Sequence, residues 1–356
     1  MIFGERLADW YQKNKRELPW RNTKDPYLIW LSEIILQQTR VNQGLDYYLK
    51  FAERFPNVKI LAYAKRDEVF KLWQGLGYYN RAENMLSTAK LVVEEYEGQF
   101  PHEPDLLLKL PGIGPYTSAA IASIAFNIPV PVVDGNVYRV LARIFGIDTP
   151  INTTKGAKLF NKHAEKLIDK ENPGIFNQAI MEFGALHCTP ANPDCTTCIF
   201  KPECYAYSKG LIKKLPVKKT KIKLRNRFFY YFLIELDLKG NNYIYIKKRV
   251  NNDIWKNLYD FALVESEESL VVNDDLICNK LQEMFGLKEV KITEVSKEYR
   301  HKLTHQLIHA IFIKLNVNKK INLSNEKTLI LVNKNNLIDY PVPRLIERYL
   351  IDQKIL

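Results

Sequence analysis

The sequence predicts an all-α front domain followed by an α+β back domain. Its 356 residues exceed what one compact hydrophobic core usually fills, so two domains are expected. Helical apolar periodicity runs through residues 1–208, whereas residues 228–238 and 243–248 are aromatic and β-branched, and strands mix with helices from there to residue 356. Between them, residues 209–227 hold nine Lys or Arg and no acid, which is typical of a solvated basic linker able to contact phosphate.

Caps and first-turn prolines mark the front helices. Asp25-Pro26 provides an N-cap followed by a first-turn proline, and predicts a helix that runs through Gln38. Gly, Pro and Asn punctuate the gaps between further helices. The other predicted helices cover residues 65–73, 81–96, 115–126, 137–145, 154–168 and 176–186.

The back domain mixes strands with helices. Residues 228–238 and 243–248 form predicted strands, and Lys239-Gly240-Asn241-Asn242 forms the hairpin turn between them. Helices are predicted over residues 275–284 and 343–352.

The composition favours a polyanionic partner. The formal net charge is +12, and neutralised phosphates supply most non-specific DNA affinity; a merely soluble basic protein is the alternative. The first twenty residues are too charged for a secretion signal. Residues 119–133, the longest apolar stretch, are too short and too interrupted to span a bilayer. We therefore expect a cytoplasmic protein without membrane attachment, associated with the nucleoid if its source is bacterial.

Four cysteines lie within seventeen residues. Cys188, Cys195, Cys198 and Cys204 follow the pattern C-x6-C-x2-C-x5-C. Thiols stay reduced in the cytosol, so this clustering indicates a metal site rather than disulfides. Four thiolates suit either a structural zinc ion or an iron–sulfur cluster.

Two short motifs precede predicted helices. In Leu110-Pro111-Gly112-Ile113-Gly114, the glycines allow a tight turn with exposed amides before a helix start, which can hold a DNA phosphate without reading sequence. An ordinary helix–helix connection would give the same pattern. Further on, Asp134 in Val132-Val133-Asp134-Gly135-Asn136 is either a functional carboxylate or a helix cap.

Together these motifs resemble the helix-hairpin-helix DNA glycosylases related to endonuclease III, over residues 1–208. Tyr116 stands where the strand-cleaving members carry a nucleophilic lysine, so no Schiff-base lyase chemistry is expected. Residues 32–39, SEIILQQT, and residues 73–79, WQGLGYY, are similar to segments of the MutY adenine glycosylases. The resemblance implies a [4Fe-4S] cluster on the four cysteines.

The same resemblance implies how the chemistry is divided. Glu33 lies among apolar residues, and burial would keep it protonated and fit to protonate adenine; an exposed helical glutamate is the alternative. Asp134 would stay ionised and stabilise the oxocarbenium-like sugar, as paired carboxylates do in glycoside hydrolysis. Tyr116 and Asn136 resemble the supporting residues, the first beside the sugar and Asp134, the second bonded to the carboxylate and water.

The target base must leave the DNA helix before it reacts, because its reacting atoms are inaccessible in a stacked duplex. The family match places Gln38 and Tyr78 as wedges in the vacated stack, and Gly112 and Gly114 at a phosphate. The residues that it implies for base and substrate binding are Trp20, Arg21, Leu36, Thr39, Val41, Leu76 and Gln178. Structural roles remain open for each of them.

The back domain resembles the Nudix-like domain of MutY proteins, which recognises 8-oxoguanine opposite adenine. Residues 255–261, WKNLYDF, are similar to a WxxLxxF stretch, but no metal-binding Nudix box is present, so phosphohydrolase activity is not expected. Thr304 and His305 fall in the recognition loop, where Leu303 replaces an aromatic residue and Thr304 a serine. Residues 189–194 lack the basic residues usual between the first two cysteines.

The sequence therefore predicts a monomeric, monofunctional glycosylase. Its expected partner is double-stranded DNA with adenine opposite 8-oxoguanine or guanine. Two alternatives stay open: a glycosylase of the same fold with another target, such as thymine opposite guanine, and a DNA-binding scaffold without catalysis.

Overall fold

The computed structural model describes residues 3–219, 224–238, 240–286, 290–321 and 329–356. The chain forms two compact units. The first comprises Met1–Ala64 and Glu83–Lys221, and the second comprises Lys65–Ala82 and Ile222–Leu356. The segment Lys65–Ala82 therefore groups with the C-terminal part of the chain, although it lies within the predicted front domain.

Helices and strands follow in chain order. The helices are α1 (Phe3–Asn14), α2 (Pro26–Leu36), α3 (Val41–Arg54), α4 (Val58–Ala62), α5 (Arg66–Trp73), α6 (Asn80–Glu95), α7 (Pro104–Leu107), α8 (Pro115–Phe126), α9 (Gly135–Phe145), α10 (Thr154–Leu167), α11 (Pro173–Leu186), α12 (Tyr205–Ser208), α13 (Asp274–Phe285) and α14 (Arg344–Asp352). The strands are β1 (Arg225–Leu238), β2 (Asn241–Lys248), β3 (Tyr259–Asp260), β4 (Ala262–Ser266), β5 (Lys291–Val295), β6 (Tyr299–Lys302), β7 (Gln306–Val317) and β8 (Leu329–Asn333).

Helix α2 begins as predicted but ends two residues early. Asp25 caps it by accepting a hydrogen bond from the Tyr27 amide, and Pro26 occupies the first turn. The predicted end at Gln38 is wrong, because Gln38 has a left-handed backbone with φ of 58° and the helix stops at Leu36.

The first unit is helical in its described residues. Helix α11 packs against α1, α8 and α9, while α2 packs against α3 and α8. A large apolar cluster fills the space between α1, α9, α10 and α11, with Phe160 and Phe183 almost fully buried in it. This packing brings α2, α8, α11 and the start of α9 around one cavity.

The second unit contains a mixed eight-stranded sheet with the central order β3-β2-β1-β7-β5. Strand β1 pairs in parallel with β7 and antiparallel with β2. Tyr231 on β1 belongs to a cluster with residues of α14, and Phe232 belongs to a second cluster with residues of α13. Both faces are therefore covered, which explains the near-continuous apolar run of β1.

The predicted basic linker is wrong at its C-terminal end. Arg225 and Arg227 lie in strand β1, and the buried Arg227 guanidinium pairs with Asp253 and Glu265. Acids distant in sequence thus neutralise a residue that the local charge pattern assigns to a solvated segment. Residues 220–223 of the linker and Lys239 of the hairpin turn lie outside the described residues. No helix in the described ranges is both long and apolar enough to cross a membrane.

Candidate active site

One cavity of the first unit collects most of the predicted catalytic and base-binding residues. Its walls come from α2, α8, α11, the start of α9 and the turn before α2. The predicted residues that line it are Trp20, Arg21, Glu33, Leu36, Thr39, Val41, Tyr116, Asp134, Asn136 and Gln178.

Glu33 is nearly enclosed in this cavity. It lies on α2 and is 9% exposed, so the alternative of an exposed helical glutamate is wrong. The pKa of Glu33 is raised to about 7, mainly by burial and in addition by the nearby Asp134, although a hydrogen bond from Tyr116 and the charge of Arg21 oppose the shift. The carboxyl is therefore partly protonated near neutral pH.

Asp134 caps helix α9 and faces the same cavity. Its Oδ1 accepts hydrogen bonds from the Asn136 amide at 2.9 Å and the Val137 amide at 2.8 Å, and its Oδ2 accepts from Asn136 Nδ2 at 2.8 Å. Burial raises the pKa of Asp134, but these three donors and the charge of Arg139 oppose that shift. The helix-cap interpretation is correct, and it coexists with a place in the cavity.

Tyr116 lies close to both carboxyl groups. Burial raises its pKa well above the usual value, and the charges of Glu33 and Asp134 add to this effect, so the phenol stays protonated. Its hydroxyl hydrogen-bonds with Glu33 and lies 3.4 Å from Met181 Sδ. Tyr116 therefore presents a neutral hydroxyl beside the Glu33 carboxyl and near Asp134.

An ionic clamp on the cavity wall consists of Arg16, Arg21 and Glu182, of which sequence reasoning missed Arg16 and Glu182. Glu182 accepts side-chain hydrogen bonds from both Arg16 and Arg21, at distances of 2.6 to 2.9 Å. Burial alone would raise the pKa of Glu182, but these bonds outweigh it and lower the pKa to about 2. The position of Glu182, one helical turn after Gln178 on α11, is the signal that could have found it.

Arg139 connects Asp134 to the cysteine segment. Its Nη2 donates to Asn136 Oδ1 at 2.9 Å, and its Nε donates to the Cys188 carbonyl at 2.7 Å. Because Asn136 in turn donates to Asp134, a continuous chain of hydrogen bonds joins the first cysteine to the carboxylate.

The four cysteines are free and lie at the end of α11 and in the segment after it. The pKa of Cys198 is raised to about 11, mainly by burial and in addition by the other three cysteines. Backbone amides donate to Cys198 and Cys204, and Arg143 donates to Cys188 Sγ at 3.5 Å. Over the described part of the chain, no three His, Cys, Asp or Glu side chains are arranged to hold a metal ion.

Arg143 also supports the backbone between the first two cysteines. Its guanidinium donates to the carbonyls of Thr189 at 2.7 Å and Pro190 at 3.0 Å. This segment has no basic residue of its own, but its backbone is bound by a cation from α9, the Arg143 guanidinium.

The glycine hairpin has the backbone geometry expected of a tight turn. Gly112 has a φ of +75°, and a Cβ there would lie 2.8 Å from Asn84 Cβ, so only glycine fits without a shift. Thr88, one turn after Asn84 on α6, donates to the Pro111 carbonyl at 2.7 Å. Gly114 precedes α8, and among the described residues no side chain caps that helix start.

The remaining predicted DNA-contacting residues lie outside the cavity. Gln38 follows α2 in a left-handed conformation, and Tyr78 is 54% exposed with a φ of 49°. Leu76, by contrast, is buried. Thr304 and His305 are exposed in the turn between β6 and β7, and the Thr304 hydroxyl lies 2.9 Å from that of Tyr78.

Two family models match the chain. Residues 31–170 match the HhH-GPD superfamily of base excision DNA repair proteins, and residues 234–352 match the NUDIX domain. The predictions of a helix-hairpin-helix front domain and a Nudix-like back domain are confirmed.

Curated relatives match over nearly the full length. The chain is 36% identical over 346 residues to the adenine DNA glycosylase of Buchnera aphidicola subsp. Baizongia pistaciae, covering 96% of this chain and 95% of that protein. It is 35% identical over 356 residues to that of Buchnera aphidicola subsp. Acyrthosiphon pisum, covering 98% and 97%. Among solved structures, a thermostable thymine-DNA glycosylase is 32% identical with a TM-score of 0.54, covering 58% of this chain and 95% of that one.

Proposed function

Since this chain belongs to the MutY-type adenine DNA glycosylases of base excision repair, we propose that it excises adenine paired with 8-oxoguanine or guanine through Glu33 and Asp134. The observation that carries the proposal is that both carboxyl groups line one cavity together with Tyr116, which hydrogen-bonds with Glu33. Their environments differ: Glu33 has a pKa near 7, whereas Asp134 accepts three donated hydrogen bonds. The roles of acid and anion require two carboxyl groups whose environments differ in this way.

In the proposed reaction, Glu33 gives its proton to a ring nitrogen of the flipped adenine. The glycosidic C–N bond then breaks, and its electron pair leaves with the base. The charge of Asp134 stabilises the cationic sugar. Water then adds to the sugar carbon, and the proton that it releases goes to the Glu33 carboxylate or to solvent. Tyr116 supplies a hydroxyl rather than an amine, so no Schiff base forms and the strand stays intact.

The proposed base pocket is formed by Trp20, Arg21, Leu36, Val41 and Gln178, with Thr39 at its wall. Gly112 and Gly114 would place their exposed backbone against a DNA phosphate. The partner base and its strand would be contacted by Gln38, Tyr78, Thr304 and His305. The buried Leu76 supports the Tyr78 segment instead of touching DNA.

Cys188, Cys195, Cys198 and Cys204 would hold the [4Fe-4S] cluster of the family. The four cysteines fit this cluster by their chemistry. They offer four sulfur ligands that perturb one another's pKa, and backbone amides and Arg143 donate hydrogen bonds to these sulfurs. When bound, the cluster would order this segment as a structural group. Iron and inorganic sulfide in about equal amounts would support it, and zinc alone would contradict it.

The test is base release from defined duplexes. We expect a monomer that releases adenine opposite 8-oxoguanine and guanine, without strand cleavage and without thymine release from T:G pairs. The T:G duplex matters because a thymine-DNA glycosylase shares this fold. Thymine release without adenine release would overturn the proposed substrate. Binding without any base release would favour a scaffold.

A further inference from the structure

A buried tyrosine behind the cavity holds one of its wall residues. The Tyr11 hydroxyl on α1 donates to Gln178 Oε1 on α11 at 2.7 Å. Tyr11 is 3% exposed, whereas Gln178 lines the cavity that also contains Glu33. The bond therefore joins a residue behind the wall to a side chain that faces the candidate base pocket.

The surroundings of Tyr11 hold its ring in place and keep its hydroxyl protonated. The Arg21 guanidinium lies over the Tyr11 ring, 5.5 Å from its centroid, and Glu182 holds that guanidinium through two hydrogen bonds. Burial raises the pKa of Tyr11, so its hydroxyl keeps the proton that it donates. The ring cannot swing away from Gln178 without disturbing this ionic clamp.

A primary amide offers an acceptor on one side and two donors on the other. If the amide were turned over, the Tyr11 oxygen would accept from Nε2, and the buried hydroxyl proton would lose Gln178 Oε1, the acceptor that it has in the described part of the chain. The bond thus selects the amide orientation in which Nε2, and not Oε1, remains available on the cavity side. A base held there meets a hydrogen-bond donor.

We propose that Tyr11 is a positioning residue that fixes the Gln178 amide as a donor, so that the pocket selects a base with an accepting ring nitrogen. This inference rests on the proposed function, since it assumes that adenine occupies the cavity. Adenine presents unprotonated ring nitrogens at N1, N3 and N7, whereas guanine carries a proton at N1. A pocket with this donor would therefore disfavour the guanine Watson–Crick edge.

The test combines Tyr11→Phe with substrate analogues. Single-turnover base release and Kd are measured on duplexes that carry, opposite 8-oxoguanine, adenine or its 1-deaza, 3-deaza or 7-deaza analogue. Each analogue replaces one accepting nitrogen by C–H. For adenine we expect Tyr11→Phe to lose about three- to tenfold in rate or affinity, the size of one neutral hydrogen bond. For one of the three analogues that loss should disappear.

Two controls separate positioning from a general structural effect. Tyr48→Phe removes a hydroxyl from another buried tyrosine, which packs edge-on against Trp20, and its effect should not depend on the analogue. In a Gln178→Met background, Tyr11→Phe should add no further loss. Equal losses of Tyr11→Phe on adenine and all three analogues, or no loss on adenine, would overturn the inference. A wild-type protein that releases no adenine would instead refute the proposed function.

Discussion

The Tyr78 hydroxyl lies 2.9 Å from the Thr304 hydroxyl, although 226 residues separate the two in sequence. Both residues are exposed, and both belong to the second compact unit. Tyr79 donates to the Val342 carbonyl at 3.4 Å and Gln74 donates to Glu347 at 3.1 Å, which ties the Tyr78 segment to the C-terminal part of the chain. The proposed wedge and the proposed mispair-recognition loop are thus parts of one unit.

Removing the Thr304 hydroxyl should weaken recognition of the partner base. We expect Thr304→Val to lower the preference for 8-oxoguanine over guanine opposite adenine by about three- to tenfold, because Tyr78 loses a neutral hydrogen bond. Single-turnover rates on the two duplexes give the preference. Thr304→Ser keeps the hydroxyl and should keep the preference. An unchanged preference in Thr304→Val would show that the bond has no part in recognition.

The pH dependence of base release should report the protonation of Glu33. Its pKa is raised to about 7, so the acid form predominates below that pH and is lost above it. We therefore expect the single-turnover rate to fall as pH rises through about 7. A rate that stays level from roughly one pH unit below that pKa to roughly one unit above it would contradict the assignment.

Replacing the acid itself gives a second test of Glu33. Glu33→Gln has nearly the same shape but no proton to transfer, so we expect base release to fall by about a hundredfold or more. Affinity for the mismatched duplex should stay close to that of the wild type. Retained turnover would exclude Glu33 as the acid.

Local patterns predicted most of these elements because the determining residues are close in sequence. Helix α8 spans the predicted residues because Pro115 starts it and Asn127 ends it in a left-handed conformation. The presence of Glu33 and Asp134 at one site could be predicted because each lies in a recognisable motif. The place of Glu182 on the cavity wall could have been found from its spacing to Gln178, but its pairing with Arg16 could not, since the two are 166 residues apart and nothing local pairs them. The grouping of Lys65–Ala82 with the C-terminal part depends likewise on contacts made by distant residues.

The two arginines of α9 should have separable roles. Arg139 bonds to Asn136 and to the Cys188 carbonyl, whereas Arg143 bonds to Cys188 Sγ and to the carbonyls that follow. We expect Arg139→Lys to lower the excision rate about tenfold with iron content retained, since hydrogen bonds from a charged donor are lost beside Asp134. Arg143→Lys should lower the iron content first. Parallel losses of iron and rate in both variants would contradict this division.

Glu182 should stabilise the first unit in a pH-dependent way. Its pKa is lowered from 4.5 to about 2 because the hydrogen bonds from Arg16 and Arg21 outweigh its burial. A carboxyl with a lowered pKa contributes stability above its unfolded value, and this contribution is lost as pH falls towards the folded value. We expect Glu182→Gln to lower the free energy of unfolding by about 2 kcal/mol at neutral pH, because charge-assisted bonds to two arginines become neutral ones. The difference from the wild type should shrink between pH 4.5 and 2. Denaturant titrations across that range measure both effects, and a difference that is independent of pH would show that packing, rather than the charge of Glu182, is responsible.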